Sequence, residues 1–130
     1  MPYVTDTHAI IWHLTEDPQL STKAKRIFQR ADTNQDYIVI PCIVLFEIVY
    51  LIEKRKIAIN LESFLWALDK ARNYKIEPLC LPIIEKSRAI QRRQVKDPWD
   101  RLIVATALHL GMPLISRDRS LRKLGLQIIW

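Results

Sequence analysis

One stretch, Lys96–Asp118 (KDPWDRLIVATALHLGMPLISRD), constrains the fold more than any other, because it holds a complete helix-to-strand unit with both ends marked. Asp97 suits an N-cap, Pro98 the first helical position, and Asp100 the first turn, where the positive end of a helix dipole favours acids. Leu102, Ile103, Ala105, Thr106 and Leu108 form a broad apolar face, and Gly111 with Pro113 ends the pattern. Met112–Ile115 then reads as a short buried strand with Ser116-Arg117-Asp118 at its end. Capping alone is a sufficient reason for Asp97 and a weaker one for Asp100, so their role stays open at this point.

The rest of the chain repeats this alternation. Tyr3–Asp6 reads as a strand ending on an acid, and Ile10, Ile11 and Leu14 follow it at helical spacing. Ser21 is placed to cap a helix whose Ala24, Ile27, Phe28 and Ala31 make one stripe. Tyr37–Ile40 gives a second strand, closed by Pro41. Ile43–Ile52 (IVLFEIVYLI) is too long for a typical buried strand and reads as a buried helix. Leu61, Phe64, Leu65, Leu68 and Ala71 mark an amphipathic helix, and Ile76–Leu81 a short or edge strand. Pro82 starts a helix carrying Ile83, Ser87 and Ile90 on one face. Asp118 suits the cap of a short helix through Lys123, stopped by Gly125, before a last strand at Leu126–Trp130. Such an order predicts an α/β fold: a largely parallel sheet of about five strands, flanked on both faces by helices. At 130 residues, a single domain spanning 1–130 is expected.

Composition excludes several classes. No apolar run approaches the roughly 20 residues of a membrane span, and the N-terminus lacks a signal-peptide layout, so a cytoplasmic protein with no membrane partner is expected. Cys42 and Cys80 have no paired spacing and read as buried reduced thiols. His8, His13 and His109 match no zinc pattern, so any metal is expected to be hard and oxygen-bound. Net charge is +6, and the basic residues gather late, among them Arg93, Lys96, Arg117 and Arg119. A basic surface of this kind draws nucleic acid; a merely solvated face is the alternative.

The acids stand out against that background. Asp6 falls at the carboxyl end of a strand, the edge where open α/β sheets bind ligands. Glu47 is the one charge in an apolar run, with no basic residue within a turn, so it must reach solvent, pair, bind metal or shift its pKa upward. In a parallel sheet Asp6, Glu47, Asp100 and Asp118 all reach one edge. Carboxylates crowded there raise each other's pKa unless a divalent cation neutralises them, and oxygen-only donors select Mg2+ or Mn2+. Such an ion can activate water against a phosphodiester. A capping role for Asp6 and a water-facing edge position for Glu47 are the alternatives.

Asp6-Thr7-His8, a helical Glu47 after the second strand, Asp97-Pro98-Trp99-Asp100-Arg101 before an Ala/Thr-rich helix, and Ser116-Arg117-Asp118 form an ordered set. Together they resemble the PIN domain, and within it the VapC-type ribonuclease toxins of type II toxin–antitoxin pairs. The likeness spans nearly the whole chain. It implies a PIN-like three-layer fold with Asp6, Glu47, Asp100 and Asp118 as the acidic metal site. Asp97, Ser116 and Arg101 are then supporting groups, Asp97 as a cap beside the site. The resemblance also implies an endoribonuclease dependent on Mg2+ or Mn2+, commonly a homodimer, inhibited by a cognate antitoxin protein. The chain departs from the commonest pattern at Trp99, where many relatives have Phe, at Val95, where many have His, and at Ser116, where many have Thr. Direct attack by metal-activated water on RNA is expected to leave 5′-phosphate and 3′-hydroxyl ends. A structure-specific or single-strand DNA nuclease and a non-catalytic RNA-binding module are the alternatives. A phosphotransfer receiver or DxD phosphatase is disfavoured because position 8 is His rather than Asp.

Overall fold

The computed structural model describes residues 2–130. Its elements run in the expected alternation: β1 (Pro2–Thr5), α1 (Thr7–Leu14), α2 (Thr22–Asp32), β2 (Tyr37–Pro41), α3 (Cys42–Glu53), α4 (Leu61–Lys70), β3 (Tyr74–Glu77), α5 (Leu81–Arg88), α6 (Pro98–Leu110) and β4 (Leu114–Ile115), then a 3₁₀ helix (Arg119–Leu124) and β5 (Ile128–Ile129). The five strands form one sheet in the order β3-β2-β1-β4-β5, and every neighbouring pair is parallel. Val4, at the centre, lies beside Val39 on one side and Leu114 on the other.

Burial along the strands explains the helices on both faces. Val4 and Thr5 are consecutive and both buried, as are Ile38, Val39, Ile40 and Pro41. Consecutive burial means both faces are covered, which is the three-layer α/β arrangement. The caps follow the sequence signals closely. Ser21 accepts from the Ala24 N–H at 3.1 Å. Asp97 accepts from Trp99 and Asp100 N–H at 2.8 and 3.2 Å. Gly111 closes α6 and Gly125 closes the 3₁₀ helix, at φ of 65° and 77°, a left-handed conformation in which a Cβ is unfavourable.

Four expectations are corrected. The helix α3 is not buried: Val44 and Ile48 face the core, whereas Phe46 is 55% and Tyr50 50% exposed. A composition apolar from Ile43 to Ile52 but for Glu47 says little about which face turns inward, and here the outer face stays open. The third strand lies at Tyr74–Glu77 rather than at Ile76–Leu81, because Tyr74 to Glu77 pair with Ile38 to Pro41 and Pro78 has no N–H to extend the ladder. It is nevertheless the edge strand that its Pro and Glu implied. The last strand is confined to Ile128–Ile129, paired with the equally short β4. Cys42 is exposed and Cys80 partly so, both as free thiols, because each falls at the mouth of a helix rather than inside the core. No helix among the described residues is long and apolar enough to cross a membrane.

Candidate active site

The strand order fixes where a site can form. From β1 the chain moves outward to β2 and β3, then returns to place β4 on the other side of β1, so strand order reverses between β1 and β4. At that switch point the connections leave in opposite directions and open a crevice beyond the strand ends. Asp6 follows β1 and Ser116 follows β4, and the two ends are tied because the Asp6 N–H donates to the Ile115 carbonyl at 3.2 Å. A cleft of about 660 Å³ opens there, lined by Asp6, Glu47, Asp97, Asp100, Ser116 and Asp118. Arg93, Lys96 and Arg117 line it as well.

Each acid is held differently. Asp6 caps α1, accepting from the Ala9 N–H at 2.9 Å, and takes a second hydrogen bond from the Ser116 hydroxyl. Capping and membership of the cleft therefore coexist in one side chain. Burial pushes the Asp6 carboxyl up from its ordinary value, and the Glu47 charge adds to this, while the two hydrogen bonds pull the other way. Glu47 projects from α3 and accepts from the buried Thr7 hydroxyl at 2.6 Å. Asp100 lies in the first turn of α6. Although exposed as a residue, its carboxyl is pushed up to about 6, first by desolvation within the cleft, then by the charges of Asp97, Glu47 and Asp6.

Ser116 is 3% exposed and joins the two halves, since its Oγ also accepts from the Asp118 N–H at 3.2 Å. Asp118 reaches the cleft from the β4 side, but its carboxylate accepts from both the N–H and the hydroxyl of Ser120, capping the 3₁₀ helix. Arg101 is the one expected residue that the structure takes elsewhere. Its Nη2 donates to the Ser87 and Ile90 carbonyls at 2.9 and 3.0 Å, and its Nε is buried without a partner. Arg101 thus ties α6 to the end of α5 and does not line the cleft.

Sequence reasoning passed over Thr7, although a hydroxyl directly after the first acid was a usable signal. His8 and Trp12, one turn apart on α1, also line the cleft without having been singled out as site residues. The late basic residues were read only as a surface; Arg93, Lys96 and Arg117 turn out to rim the acids.

The donor set suits a hard cation. Among the described residues, Asp6, Glu47, Asp97, Asp100 and Asp118 enter no ion pair with Lys, Arg or His, and the charge of His8 offsets only part of that on Asp6 and Asp100. The acids of the cleft offer only oxygen donors, with His8 the one imidazole lining it, a set that favours Mg2+ or Mn2+ over a softer metal. Among those residues, no three His, Cys, Asp or Glu side chains are already drawn into a cage. Mg2+ does not require one, because it keeps several waters and binds through one or two carboxylates.

Comparison with known proteins bears on the same arrangement. A profile of the PIN domain matches residues 3–126. The chain belongs to the PIN domain family. This PIN domain is 28% identical over 117 residues to ribonuclease VapC22 of Mycobacterium tuberculosis, covering 90% of this chain and 87% of that protein. Its fold is similar to a crystal structure of VapBC2 from Rickettsia felis bound to a promoter DNA fragment, with TM-score 0.71, 17% identity, and 98% of this chain and 97% of that one covered. It is also similar to VapC20 of M. tuberculosis, described as a sarcin-ricin loop cleaving toxin, at TM-score 0.67 and 15% identity, with 95% of each chain covered. These likenesses carry the expected PIN-like, three-layer α/β architecture.

Proposed function

We propose that this PIN domain is an endoribonuclease dependent on Mg2+ or Mn2+ that serves as the toxin of a toxin–antitoxin pair. One observation carries the reading: Asp6, Glu47 and Asp100 converge at the switch-point cleft without an ion pair among the described residues, and Arg93, Lys96 and Arg117 rim that cleft. Acids without compensation suit a metal, and cations around them suit a phosphate backbone. The 28% identity to a ribonuclease along nearly the full chain supports RNA as the substrate.

Asp6, Glu47, Asp100 and Asp118 would hold the ion. When bound, Mg2+ or Mn2+ supplies Lewis acidity at the scissile phosphate and acidifies water. The chain's own residues do the rest. Ser116 and the Ala9 N–H fix the Asp6 carboxylate, and Thr7 fixes Glu47. Asp97 holds the first turn of α6, and so the backbone of Asp100, through its two capping bonds. Asp100 would present its carboxylate to the ion from the first turn of α6. Arg93, Lys96 and Arg117 bind the phosphates on either side. Attack by water itself leaves 5′-phosphate and 3′-hydroxyl ends.

The exposed apolar residues of α3, Phe46 and Tyr50, and of α5, Leu81 and Ile84, supply surface for a homodimer and for an antitoxin. The solved structures of VapBC complexes with similar folds support an antitoxin partner.

The test uses the purified chain with total bacterial RNA in Mn2+ or EDTA, alongside Asp100→Asn, with single-stranded DNA as a parallel substrate. Metal-dependent cutting of RNA that the variant loses by a hundredfold or more is expected, on the order of what one acid–base or metal-binding group contributes. Cutting that persists in EDTA, or 2′,3′-cyclic phosphate ends, would exclude the proposed chemistry. Sedimentation at micromolar concentration is expected to give a dimer; a monomer removes that part of the proposal.

A further inference from the structure

Across the cleft from the acids of α6 stands an aromatic wall that the chemistry above does not use. Trp12 lies one turn after His8 on α1, so their side chains share a face, with ring centroids 5.5 Å apart. The Trp130 ring meets Trp12 edge-on at 5.8 Å, and the Arg117 guanidinium sits over the Trp12 ring at 6.0 Å. Three neighbours from different parts of the chain therefore hold one indole in place. His8 and Trp12 line the acidic cleft and also a second groove of about 620 Å³ that runs on toward Lys56. The indole stands on the ridge between the two.

Asp6 caps the same helix, and Trp12 follows it by about 9 Å along the axis at the helical rise, which is within reach of a neighbouring nucleotide. Grooves that bind single-stranded nucleic acid combine cations for the backbone with aromatic faces for the bases. Here the cations are Arg93, Lys96 and Arg117 in the cleft, and Lys56 in the groove beyond. We infer that His8 and Trp12, backed by Arg117, form a base-stacking subsite that seats the nucleobase next to the scissile phosphate. The inference rests on the RNA-cleaving reading, and it adds a substrate-binding position to it. Stacking on an indole accepts any base, so the subsite requires a base without selecting which.

The test compares two probes of equal length and charge, labelled octaadenylate and an abasic octamer, by fluorescence anisotropy in Mg2+. An Asp100→Asn background prevents turnover. Octaadenylate is expected to bind roughly 5- to 150-fold more tightly than the abasic octamer, the range that stacking aromatics contribute. Trp12→Ala removes this preference, Trp12→Phe retains part of it, and His8→Ala reduces it. His8 is exposed and the Phe variant keeps a ring, so these two carry the test if Trp12→Ala does not fold. Equal affinity of the parent for both probes, as expected if a protein partner rather than RNA covers the wall, overturns the inference. So does a preference that Trp12→Phe and His8→Ala both leave intact. Cleavage of total RNA by the unmodified chain is assayed alongside. Base-dependent binding without cleavage keeps the subsite and rejects the nuclease, and cleavage without base preference does the reverse.

Discussion

Asp6 and Asp100 give the metal-free protein a specific pH dependence. Both carboxyls hold their protons more tightly in the folded chain than at their ordinary value of 3.8, Asp100 up to about 6. From about 3.8 to about 6, therefore, the folded state binds more protons than the unfolded state. Stability from protonated Asp100 is fully present below 3.8 and is lost as pH rises through about 6, and the raised Asp6 carboxyl acts in the same direction. In EDTA the melting temperature is expected to be higher at pH 5 than at pH 7.5, with a modest slope because Asp100 is open to water. Asp100→Asn flattens the slope, and saturating Mn2+ reverses it by stabilising the ionised form. A melting temperature in EDTA that climbs from pH 5 to pH 7.5 would contradict the crowding of these acids. Thr7 offers a second residue-level test. Its buried hydroxyl holds Glu47 at 2.6 Å, and Thr7→Val removes that bond while keeping the shape. Mn2+ affinity is expected to fall roughly 10- to 100-fold, as when a partner that orients a metal ligand is lost. Calorimetric titration measures this, and an unchanged affinity would mean that Glu47 is oriented by other contacts. Asp6 and Asp100 were legible from strand-end and helix-start positions; for Thr7 the sequence offered only a hydroxyl beside the first acid, and its partner Glu47 emerges once α1 and α3 are packed together.

The helix α6 was legible from end to end, since Asp97, Pro98 and Gly111 act within a turn of their own positions and need no tertiary context. The helix α3 was legible as a helix but not in its orientation, because a segment apolar on every side leaves the choice of face to its neighbours. Arg101 illustrates the same limit. It stands beside Asp100 in sequence, but the next residue on a helix points about 100° away, and its guanidinium meets the carbonyls that end α5. Replacing it with Met removes two part-buried hydrogen bonds to carbonyls and is expected to cost roughly 1–3 kcal/mol of stability in urea unfolding. Cleavage per folded molecule is expected to stay within a factor of about two. A folded variant that has lost cleavage would return Arg101 to the site.

At the scale of the whole molecule, alternation of strands and helices specified a parallel sheet, and strand ends specified where acids gather. The neighbour relations β3-β2-β1-β4-β5 were not in the alternation, because β1 could have stood at an edge. Its central position has a consequence for synthesis. When a nascent chain has emerged through β3, β1 has one neighbour, and Asp6 follows a strand whose other side is bare. The Asp6 N–H finds its acceptor only when Ile115 arrives, and the Asp6 carboxylate gains the Ser116 hydroxyl only one residue later. The first of the four site acids to be synthesised is thus among the last to be fastened. A translation product that stops short of β4 carries Asp6, Glu47 and Asp100 without the strand that closes the cleft around them.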